Sequence, residues 1–323
     1  MKKRATQGFT LIELLVASGV TAIIVGLMIT MVSNLLTAYN RSSGALSAQS
    51  QAGLVLDQLT SELESIVLRN SDDVMFKVDQ VGTLAGSGKS SPAGIELASG
   101  AFGDDWEDLP IENYRFGEGG LWLKFFTSAP SLTDDPTPGV RAMGYRIDFN
   151  PVAQGSSESS FMLYRTQIPA EVTFDWGYDL DDIYPSADTY SYSYEDSDGV
   201  AVTVTGEENG LKDPNPALSE LSQQIIADNV VDFGVRLFTL NDQRQRELVF
   251  PLDANDSYSA SSDSTTDSYP EVVEVMVRIL TPEGRRLIDA MRDNLLQGQN
   301  WWDVVDRNSE VYSRVIKIPS RPF

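Results

Sequence analysis

The residue types that this chain lacks restrict the chemistry it can perform. Its 323 residues include no histidine and no cysteine. Nucleophilic systems that pair serine or cysteine with histidine are therefore excluded, as are the usual zinc sites and disulfide bonds. Carboxylate chemistry, a serine–lysine pair and a carboxylate-bound calcium ion remain. The sequence has neither a Gly-x-Ser-x-Gly motif nor a cofactor fingerprint, so we expect no enzymatic activity.

Two groups of aspartates are the best candidates for a calcium site. The first consists of Asp179, Asp181 and Asp182, and the second of Asp253 and Asp256. Clustered carboxylates suit calcium, but neither group has the spacing of an EF-hand loop. The alternative is that both are solvated acidic loops. We expect no cofactor, with calcium as the option left open.

One further carboxylate, Glu13, lies at the start of a long apolar segment. The run from Leu14 to Leu36 carries no charge. It is long enough to cross a bilayer as one helix, which needs about 20 apolar residues. Lys2, Lys3 and Arg4 precede it, so the positive-inside rule predicts a cytoplasmic N-terminus and an exported C-terminal part.

A cleaved secretory signal is the alternative interpretation of this segment. Such a signal has an apolar core of about 7–15 residues and a small-x-small cleavage site after it. Here the apolar run is longer and no Ala-x-Ala motif follows it. A carboxylate within a membrane helix also costs a few kcal/mol unless it finds a partner. A simple anchor would have no reason to contain Glu13.

The stretch Gly8-Phe9-Thr10-Leu11-Ile12-Glu13-Leu14-Leu15-Val16-Ala17 resembles the class III signal of type IV pilins and type II secretion pseudopilins. This resemblance implies that a prepilin peptidase cuts after Gly8, and that Phe9 becomes a methylated N-terminus. It also implies that Glu13 faces the N-terminal amine of a neighbouring subunit during assembly. Pairing two charges that are each costly to bury would offset much of that cost and set the register between subunits.

The length of the chain is typical of the larger minor subunits of these filaments, of the PilW or J-subunit type. The resemblance implies a structural subunit that sits in, or primes, a type IV pilus or a type II secretion filament. Its partners would be the prepilin peptidase, the inner membrane and other pilin or pseudopilin subunits, contacted through the N-terminal helix. The alternative is a membrane-tethered extracytoplasmic ligand-binding domain that uses the same kind of anchor.

The charge of the chain argues against nucleic acid as a partner. Aspartate and glutamate number 47 against 24 lysines and arginines, which gives a net charge of −23. An acidic surface repels the phosphate backbone, and we find no local basic patch.

Hydrophobic periodicity predicts that the N-terminal helix continues beyond the membrane to about Leu68. Apolar residues recur at spacings of three and four and form one stripe, which consists of Leu56, Leu59, Leu63, Ile66 and Val67. We place three carboxylates outside this stripe, namely Asp57, Glu62 and Glu64. The stripe predicts packing of the helix on a sheet.

Short apolar runs and alternating apolar residues predict strands in the C-terminal part of the chain. The expected strands are Leu121 to Phe126, Met143 to Phe149, Phe161 to Ile168, Val231 to Leu237, Val273 to Ile279 and, more loosely, Val311 to Ile318. Leu218, Leu221, Ile225 and Ile226 predict a short helix, and Pro282 opens another that runs to about Asn294. We expect Trp301 and Trp302 to lie in the core.

These elements predict an α+β fold of the pilin type, in which a long N-terminal helix packs on an antiparallel β-sheet with large loop insertions. Whether one sheet or two form cannot be decided from the pattern. The expected segments are a leader at 1–8, a transmembrane and assembly helix at 9–36, its periplasmic continuation at 37–69, and a globular head at 70–323 with an acidic, tyrosine-rich insertion at about 170–216 and a flexible loop at about 253–268.

Overall fold

A computed structural model describes most of the chain. The described residues are 11–81, 94–99, 106–130, 138–151, 159–180, 189–195, 201–207, 223–254, 256–262, 267–293, 295–296 and 298–319. They divide into two units, of which the first ends at Ser47 and the second begins at Ala48. Each unit is described by itself.

Helix α1, Leu11–Glu64, belongs to both units. In the first unit, a 26-residue stretch from Leu11 to Leu36 is long and apolar enough to cross a membrane, and none of it is buried. In the second unit, helical spacing turns one apolar face inward, and that face includes Val55, Leu59 and Leu63, which have no exposed surface.

The end of α1 differs from the expectation of a helix to about Leu68. The helix ends at Glu64 because the chain then pairs with a strand. Ile66 forms a β-bridge with Thr127, and the Val67 amide donates to the Phe126 carbonyl at 2.9 Å. The side chains of both residues still pack toward the core, so the apolar stripe continues beyond the last helical residue.

Fourteen strands lie in the described part of the chain. They are β1 Phe76–Gln80, β2 Glu96–Leu97, β3 Tyr114–Arg115, β4 Leu121–Thr127, β5 Arg141–Pro151, β6 Ser159–Ile168, β7 Thr189–Glu195, β8 Ala201–Glu207, β9 Gln223–Asp228, β10 Val230–Leu240, β11 Arg246–Phe250, β12 Tyr258–Ala260, β13 Val272–Leu280 and β14 Ser309–Lys317. Three short helices accompany them, namely α2 Ala170–Trp176, α3 Pro282–Arg292 and α4 Trp301–Arg307.

Two antiparallel sheets form the head. The larger has six strands in the order β12-β1-β4-β5-β6-β9, and the smaller has four in the order β11-β10-β13-β14. Two further strand pairs, β2 with β3 and β7 with β8, stand apart from these sheets. Buried side chains of both sheets and of α1 belong to one hydrophobic core. The structure therefore confirms the α+β fold, and the described residues of the head form two main sheets.

The two sheets meet where β9 runs into β10. A single residue, Asn229, separates these strands, and its φ of 58° turns the chain from one sheet to the other. Asparagine is one of the few residues that adopt this left-handed conformation readily. A second close approach occurs at Gly234, where an added Cβ would lie 1.9 Å from the ring of Phe116. Only glycine leaves room for that ring.

The predicted strands at 121–126, 143–149, 161–168, 231–237 and 273–279 are confirmed as β4, β5, β6, β10 and β13, and the tail at 311–318 lies largely in β14. Helix α3 begins at Pro282 as predicted. The Thr281 hydroxyl caps it by accepting from the Gly284 amide at 3.1 Å. Trp301 and Trp302 are buried at the start of α4.

The helix predicted from Leu218 to Ile226 is wrong for its last two residues. Ile225 and Ile226 lie in β9, which pairs with β6, while Leu218 and Leu221 lie outside the described residues. Two consecutive β-branched residues favour a strand, and the hydrogen bonds to β6 stabilise it in that form. The stretch at 253–268, expected to be a flexible loop, contributes β12, in which Tyr258 and Ala260 are buried against β1. Within the insertion at 170–216 the structure describes α2, β7 and β8.

Candidate functional site

Glu13 lies in the first turn of α1, in the unit that ends at Ser47. It is the one charged residue between Leu11 and Leu36, and the side chains of this stretch are exposed. The hydroxyl groups of Ser18, Thr21 and Thr30 donate to carbonyls of the preceding helical turn. Glu13 is the charged side chain of this stretch, and burial of a charge in a bilayer is costly.

Gly8 and Phe9, the two predicted processing residues, lie outside the described residues. The helix as described begins two residues after Phe9. The roles of Gly8, Phe9 and Glu13 therefore stay predictions from the sequence.

The calcium candidates are only partly described. Asp179 Oδ1 accepts a hydrogen bond from the Val74 amide at 3.2 Å, and Asp256 Oδ2 accepts from the Leu252 amide at 2.6 Å. Burial raises the pKa of Asp256. Asp253 is described, whereas Asp181 and Asp182 are not. Within the described ranges no group of three potential metal ligands is found, and calcium binding stays an untested prediction.

A buried ionic centre, which the sequence did not reveal, joins α1 to the larger sheet. Glu62 of α1 has no exposed surface, although it was expected to lie outside the apolar stripe. Arg165 Nε of β6 donates to Glu62 Oε1 at 2.7 Å, and the Tyr145 hydroxyl of β5 donates to Glu62 Oε2. Gln58, one helical turn earlier, also donates to Glu62. We call these residues the Glu62 centre.

The protein satisfies both oxygens of Glu62, so this carboxylate has a structural role. Arg165 is itself 1% exposed, and its Nη2 donates to Gln167 at 2.9 Å. Burial raises the pKa of Tyr145 well above its usual range, and the negative charge of Glu62 raises it further. The hydroxyl therefore stays protonated and remains a donor. Paired and hydrogen-bonded in this way, the two charges fix the position of α1 on the sheet.

The comparison with known families identifies the N-terminal segment. Residues 3–29 match the family model described as the prokaryotic N-terminal methylation motif. Gly8, Phe9 and Glu13 all fall within the matched residues. No curated protein matches the chain. The motif at the head of an apolar helix, followed by an α+β head, supports a type IV pilin-like protein with a single-pass membrane anchor.

The family of proteins that this motif marks is structural rather than catalytic. The motif implies processing by a prepilin peptidase and assembly with other pilins. The match covers residues 3–29 and does not specify a subtype.

Proposed function

We propose that this chain is a minor pilin-like or pseudopilin-like structural subunit. A prepilin peptidase cleaves it after Gly8, and it is incorporated in, or primes, a filament of the type IV pilus or type II secretion kind. The observation that carries the proposal is the methylation motif at residues 3–29, which overlaps an exposed apolar helical stretch, Leu11–Leu36, that could cross a membrane. The chain is not an enzyme on this proposal.

Glu13 gives the anchor its assembly role. On this proposal the N-terminus after cleavage is the ammonium group of Phe9, four residues before Glu13 in the sequence. Each charge alone is costly to bury, whereas a pair between neighbouring subunits offsets much of the cost and accepts only one register. The basic residues Lys2, Lys3 and Arg4 keep the leader in the cytoplasm, with the head in the periplasm or outside the cell.

The Glu62 centre supports the same role at the other end of α1. A subunit that is drawn into a filament by its N-terminal helix needs its head to be fixed to that helix. The paired charges of Glu62 and Arg165, together with the buried apolar face at Val55, Leu59 and Leu63, provide this attachment.

The first experiment replaces Glu13 and follows both processing and assembly. In the native membrane we expect Glu13→Ala to be cleaved normally, with a mature chain that begins at Phe9 and is one methyl group heavier than the unmodified sequence. Its recovery in a filament pull-down should fall more than tenfold, since an unpaired buried charge costs about 3–5 kcal/mol. Intact mass and N-terminal sequencing report the processing.

Asp57→Ala is the matched control, because it removes a carboxylate that lies on the same helix but is 72% exposed. We expect this variant to assemble like the wild type. Normal incorporation of Glu13→Ala would contradict the assembly role. An uncut chain that begins at Met1 would instead favour a membrane-tethered binding domain.

A further inference from the structure

Strand β14 forms one edge of the smaller sheet. It has nine residues and pairs with β13 along its whole length without a bulge. The other edge strands of the two main sheets are shorter, with six residues in β9, five in β11 and three in β12. Proline or a bulge commonly protects a long edge, because free backbone groups can pair with another strand. Neither interrupts β14, and Pro319 comes only after its end.

The hydrogen bonds that flank β14 show which of its residues face β13. The Thr281 amide donates to the Asn308 carbonyl at 2.8 Å, and the Ile318 amide donates to the Glu271 carbonyl at 3.1 Å. In an antiparallel pair, residues bonded to the partner alternate with residues whose N–H and C=O point the other way. Even-numbered residues of β14 therefore bond to β13, and odd-numbered residues turn their backbone groups outward.

The outward residues of β14 include Val311, Ser313 and Val315. Among the described residues nothing bonds to their backbone N–H and C=O groups. Ser313 is exposed, and the side chain of Val315 is 42% exposed although it is apolar. This edge is therefore a row of free donors and acceptors that an extended backbone can satisfy.

Two charges of opposite sign lie on one face of β14. Glu310 and Arg314 are four residues apart, so they share a face with Tyr312 between them. Glu310 is exposed and forms no ion pair within the described ranges. Arg314 contacts Asp57 and Thr60 of α1 through Nη1, and its Nε and Nη2 remain available for a second carboxylate.

A second copy of β14 complements this pattern. When two antiparallel copies are centred on Tyr312, Glu310 of each lies opposite Arg314 of the other. The same register places Val311 opposite Ser313, so the free backbone groups bond to one another. The charged residues then form the non-hydrogen-bonded pairs, in which side chains lie closest. A shift by two residues separates the opposite charges, and a shift by four brings like charges together.

We propose that β14 is a docking surface for β14 of a second copy of this chain, so that two heads share one continuous antiparallel sheet. The joined sheet has the order β11-β10-β13-β14 in one copy, followed by the reverse order in the other. Recognition rests on the free backbone groups and on reciprocal pairs of Glu310 with Arg314. Neither Glu13 nor processing takes part, so this pairing stands or fails separately from the proposed function.

The absence of cysteine from the chain makes cross-linking a direct test. The two Tyr312 residues face each other at the centre of the pair, with Cα atoms about 4.5 Å apart. A disulfide spans about 4.4–6.8 Å between Cα atoms. In the full chain in detergent, oxidised with copper phenanthroline, Tyr312→Cys should therefore form a covalent dimer. The control is Lys317→Cys, exposed on the same strand, whose two copies would lie about 30 Å apart and should not cross-link.

Charge reversal tests the register. Added to Tyr312→Cys, Glu310→Arg should lower the yield of covalent dimer about tenfold, because two favourable pairs become two unfavourable ones. The change removes no ion pair from the described part of the head. Combining Glu310→Arg with Arg314→Glu exchanges the two charges and should restore the yield, which a merely structural effect of either change would not do.

A measurement on the wild type needs no variant. Hydrogen exchange resolved to single amides should show amides 311, 313 and 315 protected at high protein concentration and about tenfold less protected on dilution, because they gain their bonds only in the pair. Free exchange of these amides at the highest concentration would overturn the proposal. Equal cross-linking of Tyr312→Cys and Lys317→Cys would do so too. In native membranes, an adduct of Tyr312→Cys with a different protein in place of the dimer would also contradict it and identify another chain as the occupant.

Discussion

Single buried charged residues contribute to the stability of the folded head. Glu62, Arg165, Asp232 and Arg278 are all buried, and each contacts a partner more than 40 positions away in the sequence. Such residues give no local signal. Glu62 lies three positions after Leu59, a helical spacing that fits the buried face. Because it is charged, we expected it to lie outside that face. Arg165 and Tyr145, which explain its burial, could not be identified as partners from the sequence.

Removal of one member of the Glu62 centre should be costly. We expect Glu62→Ala to lower the free energy of unfolding by about 3–5 kcal/mol, because it leaves the Arg165 guanidinium buried without its carboxylate. Chemical denaturation of the full chain in detergent measures this. Asp57→Ala, which removes an exposed ion pair with Arg314, should cost less than about 1 kcal/mol. A loss below 1 kcal/mol for Glu62→Ala would contradict the structural role.

At the scale of elements, strands were easier to predict than their partners. Alternation of apolar residues identified β5, β10 and β13, because a strand with a buried face shows a period of two in its own sequence. The error at Ile225 and Ile226 has a different origin. A short apolar run can form either a helix or a strand. Here the pairing with β6, which is distant in the sequence, stabilises the strand.

Two glycines in different elements should respond oppositely to the same change. Gly53 lies in α1 with nothing within 4 Å of an added Cβ, so Gly53→Ala should stabilise the head by about 0.5–1 kcal/mol. Gly234→Ala would place a methyl group 1.9 Å from a ring atom of Phe116. This overlap should destabilise the head by about 1–3 kcal/mol. Thermal unfolding of the two variants compares them directly. Equal effects of the same sign would contradict the close contact between Gly234 and Phe116.

At the scale of the whole molecule, the sequence predicted the anchor and the fold class but not the division of the head into two sheets. The anchor is continuous in sequence, so its length and composition suffice. The sheets depend on pairings such as β1 with β12, whose strands lie far apart in the chain. The turn at Asn229, which separates the sheets, is a single residue and has no sequence signature strong enough to predict.

The head should fold without the membrane segment but not without the second half of α1. The hydrophobic core begins at Ala48, so a chain that starts at about residue 44 keeps all of it. We expect this fragment to unfold cooperatively in chemical denaturation. A fragment that starts at residue 60 lacks Ala52, Val55, Leu56 and Leu59 and should not fold. Cooperative unfolding of the shorter fragment would mean that α1 is dispensable for the core.

The position of β1 in the larger sheet has a consequence for the timing of export. This strand lies between β4 and β12, and Phe76 pairs with both Phe125 and Ala260. On the proposed route of export, which starts at the anchor, one side of β1 therefore lacks its partner strand until residue 260 has crossed the membrane. Strand β12, Tyr258–Ala260, then pairs with that side of β1. On that route the larger sheet finishes folding late in translocation, and strand pairings over such sequence distances form slowly.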